Sequence, residues 1–237
     1  MSVPQLLDLA ALACLDDPVR RQLYELVSQQ ANPVSRDDAV DATGIGRALA
    51  AYHLDKLVEA GLLTATYQRP GDRTGPGAGR PAKLYSRSGR EFSVTVPPRE
   101  YELAARLLVR AVEADPSGHS RGALRAAARQ FGVDIGSQVV SRRSPGGRRS
   151  DTAGLERRDL ETVLASYGYE PEHRADGSMR LRNCPFHQLA EQHKETVCGM
   201  NLALIDGVAT GLKASALHPV LDPQPGYCCV TIDPGQS

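Results

Sequence analysis

The residues of this 237-residue chain best able to do chemistry are its cysteines, and they are unevenly placed. Four of the five, Cys184, Cys198, Cys228 and Cys229, fall within the last 54 residues, while Cys14 stands apart near the start. The odd count argues against a disulfide scaffold. The opening Met-Ser-Val-Pro-Gln has neither the basic start nor the apolar stretch of a secretory signal, so a cytoplasmic chain is expected. Clustered thiols in that setting point to metal or redox chemistry before stability. Thirteen residues separate Cys184 from Cys198, and twenty-nine separate Cys198 from Cys228. This is neither the paired C-x2-C spacing of a zinc ribbon nor C-x-x-C redox spacing. Soft thiolates supplied sparsely from separate loops suit an iron–sulfur cluster, whose bridging sulfides complete the coordination.

Geometry constrains these cysteines further. A continuous helix over residues 184–198 would part the two by ~21 Å, too far for one metal centre. If both are ligands the segment must fold back, with the break expected near His193-Lys194. Cys184 precedes Pro185 at a helix start, where free backbone N–H groups and the helix dipole favour a thiolate. In a strand Cys228 and Cys229 point to opposite faces, and Val230 and Ile232 share the parity of Cys228, which places Cys228 inward. His187 and His193 read more readily as satisfied histidines than as ligands. Cys14, in an apolar helix, reads as core packing.

A second kind of chemistry lies in the charge distribution. The 28 basic and 28 acidic residues cancel, but they are segregated. Residues 69–90 carry six basic side chains against Asp72 alone, a local +5, and residues 137–158 carry a local +4. From Asp159 onward the balance is −5. A basic strip in the first half and an acidic second half predict a nucleic-acid contact at one end. No apolar run approaches the ~20 residues of a membrane span, so no membrane partner is expected. No Ser-His-Asp arrangement or phosphate-cradling glycine loop is recognisable, so an enzyme is not expected.

The elements that must position these groups begin with an apolar stripe over Leu6–Ala13. Asp17-Pro18 opens a second helix as cap and first-turn proline. Ser35 with Asp38 resembles a capping arrangement for a short third helix. Thr43-Gly44-Ile45-Gly46 is a turn, and a fourth helix runs from Arg47 to Ala60, with Leu49, Leu54, Leu57 and Val58 expected to face inward. Gly61 ends it. Leu62–Tyr67 and Ala82–Tyr85 read as paired strands around a Gly-, Pro- and Arg-rich tip. Helix, helix, turn, helix and a hairpin with a basic tip is a winged helix-turn-helix. Its fourth segment would enter the major groove while its tip reaches phosphate or minor groove.

The stretch Ala51-Tyr52-His53-Leu54-Asp55-Lys56-Leu57-Val58-Glu59-Ala60-Gly61-Leu62-Leu63 resembles the recognition helix of ArsR- and DeoR-type bacterial regulators. Asp17-Pro18-Val19-Arg20-Arg21 and Gly79-Arg80-Pro81-Ala82-Lys83-Leu84-Tyr85 resemble their second-helix opening and wing return strand. On this reading Arg47, Ala51, Tyr52, His53 and Lys56 face the major groove, and Arg69, Arg73, Arg80 and Lys83 track phosphate. Beyond Pro97-Pro98, helices over Arg99–Glu113 and Gly122 to about Val140 are apolar enough to form a dimer interface. Ser141–Ser150 reads as a mobile loop. The remainder reads as a helix near residues 155–164, a hairpin turning at Asp176-Gly177, two helical pieces over 185–212, and strands near 214–221 and 228–232. The expected fold class is α+β, with a winged helix-turn-helix over 1–96, helical dimerisation elements over 97–150, and a small sensor domain over 151–237.

Asn183-Cys184-Pro185-Phe186-His187-Gln188-Leu189-Ala190, Val197-Cys198-Gly199-Met200-Asn201 and the late Cys228 resemble the sensor domain of the SufR family, and the similarity spans both domains. The resemblance implies a homodimeric repressor of iron–sulfur assembly (suf) genes, with a [4Fe-4S] cluster on each subunit supporting binding to a double-stranded DNA operator. By position, Cys184, Cys198 and Cys228 are the implied ligands. Cyanobacterial members have a further cysteine where this chain has Leu212-Lys213, so it resembles the actinobacterial branch. The fourth ligand is left among Cys229, His187, His193 and an acidic side chain. The alternative is a winged-helix regulator whose second domain binds zinc or a small organic effector, with cysteines that are structural or sense thiol redox state.

Overall fold

The protein is described by a computed structural model over residues 3–68, 81–95, 99–142 and 152–235. The chain divides into two compact units, Met1–Arg99 and Glu100–Ser237. The helices expected as a separate region over 97–150 pack within the second unit.

In the first unit, α1 (Val3–Cys14) precedes α2 (Pro18–Gln29). Asp17 caps α2, its side chain accepting the Arg20 N–H at 3.0 Å, and Pro18 occupies the first turn. The expected Ser35–Asp38 arrangement is a reciprocal capping box opening α3 (Arg36–Thr43). Gly44 ends α3 in the left-handed region at φ 71°, which a side chain would resist. α4 (Arg47–Glu59) follows and stops at Gly61, as expected. β2 (Leu63–Gln68) and β3 (Ala82–Arg87) pair antiparallel, Leu63 opposite Arg87 and Gln68 opposite Ala82. β1 (Val34–Ser35) pairs on the other side of β3, giving the order β1-β3-β2. Leu23, Leu54, Leu57, Leu62, Leu63 and Tyr85 form the core. Leu49, expected to face inward, is 48% exposed. The buried stripe of α4 is Ala50, His53, Leu54 and Leu57, one residue out of phase with it. The wing tip over residues 69–80 lies outside the described residues.

The second unit opens with α5 (Tyr101–Glu113) and α6 (His119–Arg142). α6 starts three residues earlier than expected and takes in Ser141 and Arg142, the first two positions of the expected loop; the rest of that loop lies outside the described residues. After α7 (Thr152–Ser166), β4 (Pro171–His173) and β5 (Met179–Leu181) form the hairpin, with Gly177 at φ 82° in its turn. α8 (His187–Gln192) and α9 (Lys194–Leu212) are separated at His193, where the break was expected. β6 (Leu217–Leu221) and β7 (Val230–Pro234) complete an antiparallel sheet of order β4-β5-β7-β6. Ile205, Val208 and Leu212 of α9 pack with Leu164, Met179, Leu181, Val230 and Ile232 as the core.

α6 uses its inner face within the chain. Its fully buried positions are Gly132 and Gly136, which meet Gly207 and Gly211 of α9. A Cβ at Gly132 would overlap the Leu204 carbonyl oxygen, and one at Gly207 would overlap that of Arg129. Glycine alone permits this backbone approach. Arg129 bridges the pair, with its Nε 2.8 Å from Asp206. The face of α6 that carries Gly132 and Gly136 is thus taken up within the chain, while Phe131 of the same helix is exposed. α5 differs: Tyr101, Leu103, Leu107 and Leu108 are all exposed.

Candidate nucleic-acid interface and thiol cluster

On α4, Arg47, Ala48, Leu49 and Tyr52 are exposed, with Ala51, Asp55 and Lys56 half-buried beside them. Tyr52 is 55% exposed. Lys56 Nζ lies 2.6 Å from Glu59 Oε2 and 5.9 Å from the Tyr52 ring centre. Arg47 Nη2 lies 3.2 Å from Asp37. Such exposed pairs are weak and exchange readily for phosphate or base partners. Two expected contact residues are placed otherwise. His53 is 6% exposed, packed inside the unit with its ring edge-on to Tyr52, so it presents no edge to a groove. Lys83 donates to Asp55 Oδ1 at 2.7 Å and its side chain is 18% exposed, so its charge is already engaged. Arg69, Arg73 and Arg80 lie outside the described residues.

Asp55 is the residue the sequence reading missed. It accepts hydrogen bonds from Lys83 and from the Tyr85 hydroxyl at 2.7 Å, and from Arg36 at 3.3 Å; Arg36 also donates to Tyr85 at 3.0 Å. One carboxylate thus ties α3, α4 and β3 together. Burial alone would raise its pKa, but Lys83, Tyr85 and Arg36 hold it below the usual carboxylate value. The available signal was an acid on the recognition helix opposite a basic wing strand.

The second unit gathers its cysteines from three segments. Cys184 lies in the turn between β5 and α8, its carbonyl accepting the His187 N–H at 3.0 Å. Cys198 lies in the second turn of α9, and Cys228 and Cys229 sit just ahead of β7. All are free thiols, and in their electrostatics Cys184 acts chiefly on Cys228 and Cys229 on Cys198. The Cys228 N–H donates to Leu181 at 2.8 Å, and Cys228 Sγ accepts from Asn201 Nδ2 at 3.3 Å. Asn201 in turn accepts from the Tyr169 hydroxyl. β7 begins only at Val230, so strand alternation does not govern Cys228 and Cys229, and both thiols find partners.

These bonds decide which thiol ionises. The hydrogen bond to Cys228, followed by burial, pushes Cys184 up. Cys228 comes down to about 7, because the Cys184 hydrogen bond, with further donors in the Val230 N–H, Asn201 and the Cys229 N–H, outweighs burial. Burial, then the bond with Cys229, pushes Cys198 up to about 12. Between the two, these interactions favour ionisation at Cys228 over Cys184. α8 starts three residues beyond Cys184, and the N–H of its cap residue Phe186 does favour a Cys184 thiolate, but Cys228 and burial outweigh it.

His187 is exposed, its Nε2 3.4 Å from Glu191. His193 is 8% exposed, with Nδ1 2.8 Å from Glu113 and a buried Nε2 that has no hydrogen-bond partner. Thr196 holds the same carboxylate at 3.0 Å. Cys14 packs beside the first core, as expected. Among the described residues, no three His, Cys, Asp or Glu side chains form a set able to hold one metal ion.

Residues 15–65 match a family described as a helix-turn-helix domain. The match runs from the cap of α2 through α4 into β2. No curated protein and no solved structure matches the chain. The first unit thus contains a helix-turn-helix domain, which supports a DNA-binding transcription regulator. No helix among the described residues is long and apolar enough to cross a membrane.

Proposed function

We propose that the chain is a homodimeric repressor of iron–sulfur assembly genes whose operator binding depends on a [4Fe-4S] cluster in the second unit, one per subunit. The observation that carries this reading is the meeting of four thiols from three distant segments beside one core. Their pairwise arrangement does not centre on a single ion. A cluster brings its own bridging sulfides and takes its thiolates from separate loops, so the donor set fits it. Cys184, Cys198 and Cys228 are the ligands, and Cys229, which acts electrostatically on Cys198, is the fourth donor. When bound, the cluster supplies a redox-labile centre that cross-links these segments. The likeness to the SufR family supports the choice of target genes.

Within the chain, Asn201 and the Val230 N–H keep Cys228 ready as a thiolate, and Tyr169 fixes Asn201. The exposed Tyr101, Leu103, Leu107 and Leu108 of α5 form the face for a second copy. Helix-turn-helix regulators read two half-sites through such twofold pairing. Arg47, Ala51, Tyr52 and Lys56 face the groove, with Arg69, Arg73 and Arg80 near phosphate. The test is anaerobic purification with iron and sulfide analysis. Brown protein carrying both, lost in Cys184→Ser, Cys198→Ser and Cys228→Ser, is expected. Colourless protein carrying zinc would favour the effector-binding alternative.

A further inference from the structure

The first two turns of α4 leave an apolar surface uncovered. Leu49 is 48% exposed and Tyr52 55%, and Ala48 beside them is exposed too. A lone exposed leucine is ordinary; its place on the helix is what matters. Helix-turn-helix domains meet base edges with the N-terminal residues of the recognition helix, and Leu49 is the third residue of α4. The neighbouring groups that could read a base by hydrogen bonding are turned away or held. His53 is buried, and Asp55 is bound by Lys83, Tyr85 and Arg36. The two cations stand at either end, Arg47 beside Asp37 and Lys56 beside Glu59, about 14 Å apart along the axis. That spacing puts charge on the flanks, where the phosphates run, and methyl groups between them. In the major groove an apolar side chain singles out thymine, through its C5-methyl group.

We propose that Leu49 is a specificity-determining residue that reads thymine, its side chain packing on the C5-methyl group of one base in the site. This role rests on the DNA-binding reading of α4 and is independent of the cluster. Arg47 and Lys56 hold the helix against the backbone whatever the sequence. Leu49 then sets the cost of a base without the methyl, because apolar contact falls away once its partner atoms are missing. Removing that one methyl should lower affinity about 4-fold, the effect of exposing a single buried methyl-sized group.

The experiment uses the full chain, purified anaerobically. Duplexes are selected from a random-sequence library, and in the tightest binder each thymine is replaced in turn by deoxyuridine. That exchange removes the methyl group and keeps the base pair and the O4 acceptor. At one thymine or more, wild type should lose about 4-fold in affinity, whereas Leu49→Ala should bind the thymine and deoxyuridine duplexes equally. Leu49→Gln, a polar side chain of similar bulk, should lose the thymine preference at that position when the selection is repeated. Both variants should keep the wild-type urea midpoint, since Leu49 lies outside the core. Wild-type affinity indifferent to every deoxyuridine would overturn the proposal, and this series decides even if a variant folds poorly. A methyl effect that survives in full in Leu49→Ala would overturn it as well. Failure to enrich any sequence would instead overturn the DNA-binding reading itself, and the role of Leu49 with it.

Discussion

Asp55 in the first unit and Cys228 in the second occupy similar stations, each an acceptor on which donors from distant segments converge. Their donors differ in charge. Asp55 faces two cations and a phenol, which keep it ionised through the neutral range. Cys228 faces a thiol, an amide and two backbone N–H groups, all neutral, and these bring it only to about 7. A hub with cationic partners fixes architecture, whereas one with neutral partners stays close to titration and open to chemistry. The first unit is thus built around a locked acceptor and the second around a responsive one.

The largest expected effect separates the units by breaking the second alone. Gly207→Val forces a side chain into the Arg129 carbonyl and should destabilise the second unit by about 3 kcal/mol or more. Hydrogen exchange should then show α6 and α9 opening while α2 and α4 keep their protection. Equal loss in both units would contradict their independence.

Asp55→Asn tests the locked hub. It keeps the shape but removes the charge that holds Lys83 and Arg36, and urea unfolding should report a loss of about 1–3 kcal/mol in the first unit. An unchanged midpoint would show that the hub is incidental.

The responsive hub predicts a pH signature in the metal-free, reduced chain. Thiolate absorbance should carry a component with a midpoint near 7 that Cys228→Ser removes. Because the folded value lies below the ordinary 9, the ionised thiol contributes stability above pH 9, and this is lost as pH falls through 7. The stability gap between wild type and Cys228→Ser should therefore widen from pH 7 to pH 9. A gap that narrows over this range would reverse the assignment.

The smallest effect on stability belongs to the exposed face of α4. Tyr52→Ala should change unfolding by no more than about 0.5 kcal/mol yet weaken DNA binding measurably, whereas His53→Ala should act mainly through stability. Equal DNA defects at unchanged stability would return His53 to the interface.

The frame of the fold was legible because its signals are local. Asp17-Pro18, the Ser35–Asp38 box, Gly61 and the break at His193 each act within one turn of chain. Pairings between distant positions were not. Lys83 read as a free phosphate contact because its partner Asp55 lies 28 residues away. His53 and Leu49 lie only about 40° apart around α4, at the edge of its buried stripe, so periodicity did not decide which of the two is buried. Gly132 and Gly207 carry no apolar signal, so the tightest helix contact of the second unit was invisible to periodicity. The cysteines were found from type and spacing, but their pairing and the site of ionisation needed the turn ahead of β7.

The coupling of the two units is tested most directly by an anaerobic titration of promoter DNA from the iron–sulfur assembly genes, beside a scrambled duplex. Brown wild-type protein should prefer the promoter by about 5- to 150-fold more than Cys184→Ser does, the span of a ~1–3 kcal/mol coupling. Binding to the scrambled duplex should be equal for both. If Cys184→Ser binds the promoter as tightly as the brown protein, the cluster does not control DNA binding.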